Sequence, residues 1–71
     1  MKITVKVRFN TSKGKVEKFG RGMYLVYLPG GESNDTPAVL AQLLSKDLVV
    51  PPDKIEFAGV DNNKNWIFEL V

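Results

Sequence analysis

The chain has 71 residues, which is enough for one domain, residues 1–71, near the lower limit for independent folding and without room for a deep substrate cavity. One Trp, two Tyr, four Phe and a hydrophobic fraction of 44% supply a single core and exclude a disordered chain. The absence of Cys and His excludes disulfides, thiolate metal sites and the Ser-His and Cys-His catalytic arrangements, and the net charge is +2.

Lys2 to Phe9 alternates throughout, with Ile3, Val5, Val7 and Phe9 pointing one way and Lys2, Thr4, Lys6 and Arg8 the other. Period two with β-branched residues predicts a half-buried strand. Asn10-Thr11-Ser12-Lys13-Gly14 is a polar turn, Lys15–Phe19 extends the next strand, and Gly20-Arg21-Gly22 is a second break. Met23-Tyr24-Leu25-Val26-Tyr27-Leu28 is apolar on both faces, so it belongs inside the sheet. It is also the longest apolar run and far too short to span a membrane.

Pro29–Asn34 is a loop, followed by a helix start in which Thr36 is the expected cap and Pro37 the first helical residue. Leu40, Leu43, Leu44 and Leu48 recur at helical spacing. Pro51-Pro52 ends the helix, and Ile55–Ala58 forms a short strand. Asp61–Asn65 is a polar hairpin connection, and Trp66–Leu70 is the last strand, with Trp66, Phe68 and Leu70 on its core side. The expected class is α+β: a two-layer ββαββ sandwich whose mainly antiparallel four-stranded sheet carries one main helix on one face.

This order and several segments resemble the YggU-like family of small uncharacterised proteins. Val5-Lys6-Val7-Arg8 with Asn10-Thr11-Ser12-Lys13 is similar to its opening strand and turn. Leu43–Leu48, Val50-Pro51 and Ile55-Glu56-Phe57 are similar to its helix, connection and third strand. Asn63-Lys64-Asn65-Trp66 falls on its Ser-Arg-x-Lys segment, with Trp66 where the lysine would be, and Asn34-Asp35-Thr36-Pro37 replaces its Gly-Lys-Ala-Asn. The resemblance implies strand order 1-2-4-3, with the first and third strands at the edges. It implies no activity.

Glycines before a helix invite a phosphate-cradle reading of Pro29–Asn34. Pro37 removes an N–H, Glu32 and Asp35 repel an anion, and no Gly-Lys-Ser/Thr follows, so a plain loop is the better reading. Asp61-Asn62-Asn63 lacks the ligand count of a calcium loop and reads as a turn. The eight carboxylates sit mainly in turns and at outward positions, so no enzyme activity, cofactor or metal is expected.

Charge is the strongest functional signal. Residues 1–28 hold seven cations against Glu17 alone, while residues 29–71 hold three lysines against seven carboxylates. If the helix covers one face of the sheet, the other is open, and the Met23–Leu28 strand must present one apolar set there. The expected outward set is Tyr24, Val26 and Leu28, with Ile67 nearby. Lys6, Arg8, Lys13, Lys15, Tyr24 and Lys64 are therefore the candidate binding residues. The first reading is a non-catalytic protein-binding or adaptor module, with an unknown protein or a second copy as partner. The second is a single-stranded nucleic-acid-binding protein, with phosphates on the cations and a base on the tyrosine. A third is that long cationic side chains merely cover the stripe. With no apolar leader before the first strand, a cytoplasmic location and no membrane association are expected.

Overall fold

The alternating opening segment forms the middle of the sheet. In the computed structural model, which describes residues 1–71, the elements are β1 (Lys2–Arg8), β2 (Lys15–Gly20), β3 (Met23–Tyr27), α1 (Thr36–Leu48), a 3-10 turn (Pro52–Lys54), β4 (Ile55–Val60) and β5 (Trp66–Leu70). The class is α+β, one helix packed on one mixed five-stranded sheet of order β2-β3-β1-β5-β4. No helix is long and apolar enough to cross a membrane.

The sheet departs from expectation in strand number, in the place of β1 and in strand order. The sheet has five strands rather than four, because Lys15–Gly20 is a strand in its own right. β1 is central rather than at an edge, and it runs parallel to β3 while pairing antiparallel with β5. The order 1-2-4-3 is therefore not the one observed, although β4 does lie at an edge as expected. The physical origin is the segment Lys15-Val16-Glu17-Lys18. It offers a single apolar residue, which is all an edge strand needs, and it forms a hairpin with β3 through the two-residue turn Arg21-Gly22. The chain leaves β1, crosses the end of the position β3 will fill, and returns through that hairpin to lay β3 between β2 and β1.

The hairpin carries a bulge. Gly20 pairs with Met23, but the register then shifts, so that Lys18 pairs with Tyr24, Glu17 with Leu25, Val16 with Val26 and Lys15 with Tyr27. A one-residue shift exchanges the two faces of a strand relative to its partner. Beyond Phe19, the bulge puts Val16 beside Val26 on the helix side and Lys15 beside Tyr27 on the other.

The helix follows its leucine stripe. Leu40 and Leu44 are fully buried and Leu43 and Leu48 pack partly against the core. Its start differs from expectation: Asp35 precedes the first turn, Thr36 is already helical, and neither side chain caps. The Thr36 hydroxyl instead accepts a hydrogen bond from the Ser33 N–H at 2.9 Å, tying the loop back onto the helix. The core lies between α1 and one face of the sheet, with Ile3, Val5, Tyr24, Val26, Ile55, Trp66 and Phe68 beneath the helical leucines.

Candidate functional site

Because α1 covers one face of the sheet only, the opposite face is open. Register places its residues in rows across the strands. Lys15, Tyr27 and Arg8 form one row, and Glu17, Leu25 and Lys6 the next. Met23, Thr4 and Ile67 form the third, and Lys2, Glu69 and Glu56 the last. Charge is thus graded along the strands, with cations at the Arg8 end and carboxylates at the Glu69 end.

The basic end contains a gap. Pairing between β1 and β5 runs from Lys2–Glu69 to Val5–Trp66 and stops, so Lys6, Val7 and Arg8 have β3 on one side and no strand on the other. Opposite them lies the β4–β5 turn. A hollow of about 210 Å³ fills the gap, lined by Lys6, Val7, Arg8, Leu25, Asn63, Lys64 and Asn65. Three cations from two distant stretches of sequence meet around it. The structure has two ion pairs, Lys15 with Glu17 at 3.7 Å and the N-terminal ammonium with Glu69 at 3.6 Å. Neither involves Lys6, Arg8 or Lys64, so the positive charge of the hollow is not offset by direct contact.

The turn that supplies Lys64 is held from within. The Asp61 carboxylate accepts from the Asn63 N–H at 2.9 Å, from the Asn65 N–H at 2.8 Å and from Asn65 Nδ2 at 3.2 Å. Backbone bonds from Asp61 N–H to Asn65 O and from Lys64 N–H to Asp61 O close it. The bond from the Asn65 N–H is the main reason the Asp61 carboxyl lies below its ordinary 3.8. Lys64 itself adopts a left-handed backbone, φ 64°, which turns the chain at this point.

Among the expected site residues, Lys6, Arg8 and Lys64 come together at the hollow, and Lys15 sits beside Tyr27 on the same face. Lys13 is exposed in the β1–β2 loop and does not line the hollow. Tyr24 is a correction: it is 0% exposed and faces the helix, with Val26 and Leu28 also in the core. The bulge at Phe19 accompanies this phase. The outward set is Met23, Leu25 and Tyr27; Ile67 is on that face as expected, and its strand partner there is Thr4. Asn63 and Asn65 line the hollow as well as forming the turn, and the signal for it is their place next to Lys64, opposite the end of β1.

A second hollow, about 520 Å³, lies at the same end of the molecule and is lined by Val7, Phe9, Glu32, Val60, Lys64 and Trp66. Phe9 meets Trp66 edge to face at 6.2 Å between centroids, and Phe57 continues the cluster at 5.5 Å from Trp66. No group of three or more carboxylates is placed to hold a metal ion. Comparison with protein-family models, with curated proteins and with solved structures found no match to this chain.

Proposed function

We propose that this chain is a non-catalytic binding module and that its open sheet face takes single-stranded nucleic acid. The observation that carries the reading is the meeting of Lys6, Arg8 and Lys64 around one hollow, free of carboxylate partners, beside Leu25 and Tyr27 on an uncovered sheet. Phosphates fit the cations, and an aromatic among them offers a surface on which a base stacks whatever its identity. A catalytic role is disfavoured by chemistry. The chain has no His or Cys, and the shift at Asp61 runs downward, away from the range a general acid needs.

Fluorescence anisotropy with labelled single-stranded DNA and RNA at low and moderate salt tests the reading. Lys6→Ala with Arg8→Ala weakens binding about equally for all sequences and flattens the logarithmic salt dependence by roughly 0.7 per lost phosphate contact. Tyr27→Ala costs about 1–3 kcal/mol and leaves that slope nearly unchanged. Absence of binding tighter than ~100 µM, the weak end of non-specific association, ends the proposal.

The second reading, a protein partner or a second copy, draws on Met23, which is 42% exposed on the same face near Leu25 and Ile67. Under it, oligonucleotides do not bind, and Tyr27→Ala reduces self-association in sedimentation velocity.

A further inference from the structure

The two hollows at the basic end adjoin. Val7 and Lys64 line both of them, one on β1 and the other on the β4–β5 turn. The outer hollow is cationic. The other has four apolar residues among its six, two of them the aromatics Phe9 and Trp66, with Lys64 and Glu32 as its charged members. Its volume lies in the range of sites that take small organic groups. An anionic group and a flat apolar group joined by a short linkage match the pair of hollows, and a nucleotide has that build.

We infer that one nucleotide of a bound strand leaves the open face at the gap between β1 and β5, keeps its phosphate near Lys6, Arg8 and Lys64, and seats its base in the hollow beside Phe9 and Trp66. This rests on the nucleic-acid reading above and adds a base subsite to it. Three features support it. Lys64 borders both hollows, so one cation serves the phosphate and the mouth of the base site. The ladder between β1 and β5 ends at Val5–Trp66, so no hydrogen-bonded strand pair closes the route from one side to the other. Glu32 offers a carboxylate acceptor of the kind that pairs with an exocyclic base amine, which makes cytosine a suitable probe.

Trp66 is the only tryptophan of the chain, so its fluorescence reports the subsite without a label. The probe is oligodeoxycytidylate, compared with an abasic strand of the same length. The expected result is a change in Trp66 emission that saturates together with the anisotropy of the labelled strand. The abasic strand, which loses the base on Tyr27 as well as the one in the hollow, is expected to bind more weakly by at least the roughly five- to hundredfold that one stacked base is worth. Val60→Phe, at a half-exposed strand position opposite Trp66, puts a ring into the hollow. In that variant the emission change disappears while salt-dependent binding persists. Anisotropic binding with unchanged Trp66 emission overturns the subsite and leaves the open-face reading standing. Absence of binding by either measure overturns both.

Discussion

Tyr24 and Tyr27 stand three positions apart in β3 and face opposite sides of the sheet. The difference decides the chemistry of each. Tyr27 lies between Lys15 and Arg8 on the open face, while Tyr24 is sealed beneath α1. Burial pushes the Tyr24 phenol above its ordinary 10.0, and the negative charge of Asp47 on the helix pushes it the same way. The two groups do not meet at hydrogen-bond geometry, so the hydroxyl is buried without a partner. An orphaned buried hydroxyl costs stability, and removing it while keeping the ring is neutral or favourable. Tyr24→Phe is therefore expected to leave the urea midpoint within about 0.5 kcal/mol of the parent or to raise it, and to leave oligonucleotide affinity unchanged. A loss above about 1 kcal/mol would mean that the hydroxyl does bond to Asp47 in solution.

Among the elements, those with an unambiguous period were legible in the sequence. The alternation of Lys2–Phe9, the leucine stripe of α1 and the Trp66–Leu70 strand each appear where their spacing puts them. The phase of β3 was not legible, and the reason is physical. With apolar residues at every position from Met23 to Tyr27, either face is acceptable to the core, and the phase must come from the partner strand. A regular hairpin across Arg21-Gly22 would set Val16 opposite Tyr27 and so carry Tyr27 inward with it. The register shift beyond Gly20 sets Val16 opposite Val26 instead. The β4–β5 turn was legible as a turn, but its rigidity rests on the Asp61 carboxylate, which spacing alone does not reveal. Because the folded carboxyl titrates below 3.8, its contribution to the turn is complete above that pH and is lost as pH falls through the folded value. In NMR titrations the Asn63 and Asn65 amide protons are expected to shift together with a midpoint below 3.8. A midpoint at or above 3.8 would show the turn open in solution and Lys64 unfixed.

At the scale of the molecule, the site exists because β1 is central. Were it an edge strand, its outward cations would lie at the rim, and the gap facing the β4–β5 turn would not be framed by β3 on its other side. The sequence supports that arrangement only through a long-range contact that no local pattern announces. Gly22 adopts φ +66° in the β2–β3 turn, and its carbonyl accepts the Thr4 N–H at 2.8 Å, which ties the hairpin to β1. A methyl group on Gly22 would stand 2.8 Å from the Lys2 carbonyl oxygen, so backbone has to move to admit it. Gly30 is the natural control, since a methyl there meets nothing within 4 Å and its backbone is not in the left-handed region. The left-handed conformation alone costs an L-residue roughly 1–2 kcal/mol, and the clash adds to it. Gly22→Ala is thus expected to destabilise the domain by at least about 2 kcal/mol in urea unfolding. Gly30→Ala is expected to stay within about 0.5 kcal/mol of the parent or to stabilise slightly, by restricting the unfolded chain. If the two variants unfold at the same midpoint, the hairpin is not docked on β1, the parallel pairing of β1 with β3 is lost, and with it the frame that gathers Lys6, Arg8 and Lys64.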